Sequence, residues 1–388
     1  MNVWVKQGIV ALAILAIAVA AEFGLSVLIP DTAWRQLFMF ALVNVVVALS
    51  LNVINGMAGQ FSIGHAGFVG IGAYTAAIVA GHMHASFEAQ RAAAGLPMLG
   101  TADIPLQSSF IVMPCAIVAA AIVAGIFGLI VGLPSLRLKG DYLAVVTLGF
   151  SEIFRLLIAS ASTETSGHGI GALLAKLGGQ QGYAGPDEHG VPQYAGPFWI
   201  VGGVMVAIIG SWRLKFSGWG RALRALREDE IAAAAVGVDP TRYKVTSFVI
   251  AAMGGGFAGA LLALMRDGSP TVQPDTFGFL ASFDAITMVI LGGSGSVSGA
   301  VLGGIFVTVT VKLIEQLQRL DSVKDFTYAH PSFDLNACRM VFYAAVLIAI
   351  MVLRPSGVFG ENEIFKPKRR ALPKAAPREA PEAEESAA

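Results

Sequence analysis

The run LFMFALVNVVVALSLNVI, Leu37–Ile54, decides the fold class. Its eighteen residues carry no charge, close to the ~20 apolar residues a helix needs to cross the hydrocarbon core of a bilayer. Runs of the same kind recur along the chain. They include GIVALAILAIAVAAEFGLSVLI from Gly8, FIVMPCAIVAAAIVAGIFGLIVGL from Phe110, VTSFVIAAMGGGFAGALLALM from Val245 and MVFYAAVLIAIMVL from Met340. Composition agrees: 55% of the 388 residues are hydrophobic and 13% charged, against roughly a quarter charged in a soluble domain. The expected fold is all-α, a polytopic helical membrane protein.

Lys6, the long apolar core and the small residues AVAAE also fit a cleavable secretion signal. Because hydrophobicity continues past Glu22 to Ile29, the segment reads better as a retained first span. Orientation follows from the cations. Residues 213–244 hold Arg213, Lys215, Arg221, Arg224, Arg227, Arg242 and Lys244 against four acids, and basic residues also follow Arg354. Excess Lys and Arg marks the cytoplasmic side. Counting outward from these anchors predicts about ten crossings with both termini cytoplasmic. Two spans, 141–158 and 280–293, are weak enough to be broken or re-entrant. The transmembrane domain is expected over 1–360. Residues 361–388, rich in Pro, Ala and charge, read as a disordered cytoplasmic tail with KPKRR as a topology anchor. Polar stretches near 81–108, 159–197 and 318–338 fall on the opposite side. Cys115 and Cys338 read as small core residues, and no metal-ligand spacing appears.

No enzyme motif survives a close look. GGGFAG, Gly254–Gly259, fits a dinucleotide-binding pattern, but it sits inside an apolar run with no strand before it. Close helix contact explains it better, as it does the four-residue spacings Gly128/Gly132, Gly295/Gly299 and Gly299/Gly303. There is no phosphate-cradling loop ending in Gly-Lys-Ser/Thr, so any ATP must be bound by another subunit.

GQFSIGHAGFVGIGAY, Gly59–Tyr74, places Gln60, Ser62 and His65 among glycines, with Asn52 and Asn55 just before. On one helical face, Ser62 and His65 suggest a nucleophile and its base, yet no orienting group or oxyanion motif accompanies them. Polar groups at membrane depth either line a path or bond to neighbouring helices. GGSGSVSGAVLGGIF, Gly292–Phe306, carries Ser294 and Ser296 and looks like a counterpart in the second half. Paired interrupted segments of this kind border the path in transporters. Acids within the spans, Glu152, Asp284 and Glu315, are expected either to line the path or to pair with Arg155, Lys312 or other cations.

GWGRALRALREDEIAAAAVGVDPTRYK, Gly218–Lys244, reads as an amphipathic cytoplasmic helix ended by Gly237, with Pro240 after it. An interfacial anchor and a docking surface both remain open. Its alanine run can fit a groove and its mixed charges can fix register with a partner, which leans toward docking, whereas an interfacial anchor usually sets Trp, Phe or Leu opposite Lys and Arg.

The chain resembles the membrane permeases of bacterial branched-chain amino acid ABC importers, LivM type. The resemblance rests on LNVINGMAGQFSIGHAGFVGIGAYTAA, LPSLRLKGDYLAVVTLGFSEIFRLL, GRALRALREDEIAAAAVGVD and ILGGSGSVSGAVLGG, in that order over about residues 35–355. It implies a transport subunit of the cell inner membrane, itself no enzyme and without a cofactor of its own. The implied partners are a second related permease, two cytoplasmic ABC ATPases and a periplasmic solute-binding protein. Arg221 to Gly237 looks like the loop, within about 216–240, that enters a cleft on the ATPase. Arg221, Arg224, Glu228, Ala232, Ala233, Ala234, Ala235 and Gly237 are its expected coupling residues. Asn52, Asn55, Gln60, Ser62, His65, Ser294 and Ser296 are the expected path residues.

This sequence departs from the pattern at TSGHGIG, Thr165–Gly171, and in the polar loop GGQQGYAGPDEHGVPQY, Gly178–Tyr194, which leaves amides, urea and other amino acids as alternative solutes. A self-contained ion-coupled carrier, holding its ion at Asp284 or Glu152, is the rival from another class. A non-transporting scaffold is the third.

Overall fold

The computed structural model describes residues 3–97, 100, 101, 104, 106–135, 141–161, 176–186 and 189–318, with a few single positions between 345 and 363. Among the described residues the chain runs through α1 Val3–Leu28, α2 Thr32–Asn52, α3 His65–Ala93, α4 Leu106–Ser135, α5 Asp141–Ala159 and α6 Pro197–Phe216. The series continues with α7 Gly218–Glu228, α8 Glu230–Ala235, α9 Pro240–Ala263, α10 Phe279–Gly292 and α11 Val297–Gln318. No strand occurs among the described residues, where the only β pairing is two isolated bridges, Tyr183 with Val272 and Ala195 with Met265.

Eight segments among the described residues are long and apolar enough to cross a membrane, and Val297–Leu313 is a shorter apolar helix. The chain is therefore a multi-pass helical membrane protein. The last run of the expected ten, Met340–Leu353, lies largely outside the described residues, as does most of 361–388. Of the two weak spans, 141–158 is one unbroken helix. The other, α10, spans only fourteen residues. A 3-10 turn, Pro274–Phe277, precedes it, and α10 ends at Gly293, where φ is 113°.

Local chemistry sets the boundaries. Asp31 accepts a hydrogen bond from the Ala33 N–H and starts α2, and Asp239 does the same for α9 through the Arg242 N–H, with Pro240 in the first turn. At the other end of α2 the ladder slips into a π turn, Val53–Met57. That slip leads into the irregular stretch before α3.

With α2, α3 and α4 packed round it, α9 is the centre of the bundle. Lipid tails are as apolar as leucine, so backbones must approach closely for the helices to hold together. The glycines of GGGFAG serve this end. A Cβ on Gly256 would run into the Ala120 carbonyl of α4, one on Gly259 into the Val69 carbonyl of α3, and one on Gly72 of α3 into Gly256 itself. On α10 and α11, Gly292, Gly299 and Gly303 make the same kind of approach, so that the two helices form a tight hairpin. By contrast α1 rests mainly on α6 and buries little beyond Ala18 and Leu25.

Cys115 is exposed on the outer face of α4, not in the core as expected; the buried face of that helix is given to Val112, Met113, Ala116 and Ala120. Cys338 and TSGHGIG lie outside the described residues. At one end of the bundle the polar loop after Lys176 is built onto Leu264–Gln273. The Tyr183 and Val272 backbones exchange hydrogen bonds, the Val191 N–H reaches Pro270 and the Ala195 N–H reaches Leu264. Burial, with the Glu88 carboxylate nearby, pushes the Tyr194 phenol in this loop up to about 12, so it stays neutral beside His84 Nδ1 at 2.9 Å.

Candidate functional site

Two polar turns that the sequence places far apart meet inside the bundle. The Asn52 side chain, fully buried at the end of α2, donates from Nδ2 to the Ser296 carbonyl (3.1 Å) and accepts from the Gly295 N–H at Oδ1 (2.8 Å). Ser296 in turn accepts from the Gly299 N–H through Oγ and so starts α11. The turn after α2 and the turn before α11 are thus in direct contact. Ser294, in the same turn, is half-buried.

Asn55 clamps the stretch before α3. Its amide donates to the Ser62 carbonyl and accepts from the Ser62 N–H, both at 3.2 Å. Ser62 precedes the helix that His65 begins, so the two do not share a helical face as expected. His65 Nε2 instead lies 2.7 Å from the Ser50 hydroxyl on α2. That partner has no local signal, since it sits fifteen residues back in an apolar run. The Gln60 amide, the Ser62 hydroxyl and His65 Nδ1 are all buried without a hydrogen-bond partner. Buried polar atoms are nearly always paired, which sets these three side chains apart.

Two cavities adjoin this region. One of about 280 Å³ is lined by Asn44, Asp284, Thr308 and Lys312, with Val47, Val69 and Met288 among its apolar walls. The second, about 200 Å³, shares Phe40, Leu262, Thr276, Phe277 and Lys312 with the first and extends to Ser269–Gln273 in the loop end of the bundle. None of the seven expected path residues lines either cavity. Asn44 and Thr308, joined by a 2.8 Å hydrogen bond, escaped the sequence reading. The clue was Asn44, one of two amides inside Leu37–Ile54. Of the expected ion pairs, Glu152 with Arg155 is present at 2.8 Å, and Arg155 also reaches Asp275. Asp284 and Lys312 line one cavity, and the Glu315 side chain falls outside the described residues.

The expected coupling segment is an elbow of two helices. At Asp229 the backbone turns extended (φ −153°, ψ 112°), and its carboxylate accepts from the Ile231 and Ala232 N–H groups to start α8. The single helix read from Arg221 to Gly237 is therefore broken: an Asp with free N–H groups just after it caps a new helix more readily than it sits inside one. Leu223 and Leu226 bury one side of α7. Arg221 donates to the Phe216 carbonyl and Arg224 to those of Gly220 and Lys215, which satisfies the corner between α6 and α7. Arg227 reaches inward to the Gly56 carbonyl (2.8 Å) in the π turn after Asn52. Glu228, Ala232, Ala234 and Ala235 are exposed and Ala233 is buried. Ile231 and Val236 project, 84% and 80% exposed.

Gly237 ends α8 in the left-handed region at φ 89°, with its N–H on Ala234 and the Val238 N–H on Ala233. A Cβ there would meet nothing within 4 Å, so Gly237→Val should cost only backbone strain, about 1–2 kcal/mol. Cysteine-labelling rates along residues 231–236 should rise in that variant, and unaltered rates would refute the cap.

Residues 34–351 match the family described as the branched-chain amino acid transport system permease component. The chain belongs to this family. It is 31% identical to the high-affinity branched-chain amino acid transport permease LivM of Salmonella typhimurium strain LT2 over 91% of this chain and 75% of that one. The LivM of Escherichia coli K12 gives the same figures, 31%, 91% and 75%. The LivH permease of S. typhimurium is 24% identical over 82% of this permease and 92% of its own length. No solved structure matches.

Proposed function

We propose that this chain is a permease subunit of an ATP-binding-cassette importer that carries branched-chain or related amino acids across the bacterial inner membrane. A LivH-like permease, two cytoplasmic ATPases that bind the ATP, and a periplasmic solute-binding protein complete the assembly; both termini of this chain face the cytoplasm. The observation that carries the reading is the elbow, whose apolar tip projects while its root is wired to the interior. Pressure on Ile231 and Val236 passes through Arg227 to Gly56 and the π turn, then through Asn52 to Gly295 and Ser296, and so to the α10–α11 hairpin that walls the larger cavity. An interface that rearranges between discrete packings switches access from one side to the other.

The cavity's chemistry suits a free amino acid. Lys312 offers a cation to the carboxylate, Asp284 an anion to the ammonium, and Val47, Val69 and Met288 a floor for an aliphatic side chain. ATP-driven leucine uptake by the full complex in liposomes should fall about tenfold or more in Asp284→Asn, the scale of one charge-assisted hydrogen bond, with complex yield unchanged. Uphill uptake by the chain alone, driven by a proton gradient without nucleotide, would replace this reading with an ion-coupled carrier.

A further inference from the structure

Glu363 lies in the stretch whose composition reads as free tail, yet its side chain is only 2% exposed. Four donors converge on its carboxylate. Oε1 accepts from the Val297 N–H (2.8 Å) and pairs with the Lys215 ammonium, itself 5% exposed; Oε2 accepts from the Ser298 N–H (3.0 Å) and hydroxyl (2.6 Å). The carboxylate thus sits on the N-terminus of α11, where the helix dipole favours an anion. Gly357 marks the same place: at φ 78° it lies so close to the α10–α11 turn that a Cβ would strike Gly293.

The position of Lys215 gives these contacts a purpose. It stands in the last turn of α6, directly before the elbow, and its carbonyl holds Arg224 of α7. Asn52 grips Gly295 in the same α10–α11 turn, and Arg227 on the elbow reaches the turn next to Asn52. A permease driven from its elbow needs the elbow's two ends to move with the cavity wall. Arg227 supplies one such link.

We infer that Glu363 is the second link, a positioning residue that couples the α6–α7 corner to the α10–α11 turn so that motion of the elbow becomes motion of the cavity wall. The inference rests on the importer reading above. Burial alone would push the Glu363 carboxyl up, but Lys215, Ser298 and two backbone N–H groups outweigh it and hold the carboxyl below its ordinary 4.5. The link is therefore charged at neutral pH. Its contribution is complete above the unfolded value of 4.5 and is lost as pH falls through the lower folded value.

The test uses the full complex in liposomes and reads leucine taken up per ATP hydrolysed, a ratio that a purely structural role would leave alone. Glu363→Gln keeps the shape but strands the Lys215 charge, and the ratio should drop about tenfold, within the usual range of coupling between sites, while hydrolysis continues. Lys215→Met/Glu363→Gln removes both charges, avoids a stranded ammonium and serves if the single variant fails to assemble. Its ratio should also stay low, because the link is still missing. A wild-type ratio in either assembled variant overturns the inference and leaves the importer reading intact. A wild-type complex with no ATP-driven uptake overturns both.

Discussion

Gly259→Leu is expected to prevent the bundle from closing. A Cβ at this position meets the Val69 carbonyl and the Ala73 N–H of α3, both backbone atoms, so no rotamer change can make room. The helices must separate, and α9 cannot move from α3 without also losing its contacts to α2 and α4. Overpacking usually costs about 1–3 kcal/mol, and this site belongs at or beyond the upper end because the obstacle is main chain. The unfolding midpoint of the purified protein in detergent should fall well below wild type, with little protein recovered from membranes. Gly210→Leu on α6 is the control. Nothing lies within 4 Å of its Cβ, so its effect should stay within about 0.5 kcal/mol. Equal midpoints for the two variants would remove the close approach of α3 and α9 as the basis of the fold.

Asn52→Leu should have the next largest effect. The substitution strands the buried Gly295 N–H, whose partner is Asn52 Oδ1 at 2.8 Å, and takes one of two donors from the Ser296 carbonyl, which keeps the Ala300 N–H. One orphaned buried group costs about 1–3 kcal/mol, and the leucine must also fit where Gly56 and Gly295 pack against the amide. A loss of about 3 kcal/mol is expected, with uptake by the assembled complex reduced more than by Asp284→Asn, since the contact both supports the hairpin and transmits to it. The measurement is a chemical or thermal unfolding curve beside the transport assay. Wild-type stability and uptake together would show that the two polar turns are not joined in the working protein.

Both predictions concern contacts that no local pattern displays. The membrane solvent, the helical class and the division into spans were readable in Leu37–Ile54 and its repeats, because the length of an uncharged run is a local property. The left-handed Gly237 was readable for the same reason: a missing Cβ acts on backbone within one turn. Asp229 shows the limit of this kind of reading. The charge pattern suited one continuous helix, and what decided otherwise was a carboxylate with two N–H groups in reach.

The candidate site divides along the same line. Asn52 was marked as an amide just before one glycine-rich stretch and Ser296 as a serine within another, and their contact emerged only when α2 met the α10–α11 turn. Ser62 and His65 share spacing but not a helix, because the π turn and the irregular stretch after it leave Ser62 outside α3. Asn44, Thr308 and Lys312 became one cavity wall through the packing of α2 against α11.

What the sequence by itself determined, then, is the solvent, the helices and the chemistry each turn can offer. Tertiary structure alone decided which buried polar groups find one another and which carboxylate of an apparent tail is drawn in to meet a lysine. The physical reason is that in a bilayer every helix already satisfies its own backbone. Apolar sequence therefore sets where a span lies but carries little information about its neighbours. Neighbours are chosen by the few glycines that let backbones touch and the few polar side chains whose partners lie hundreds of residues away.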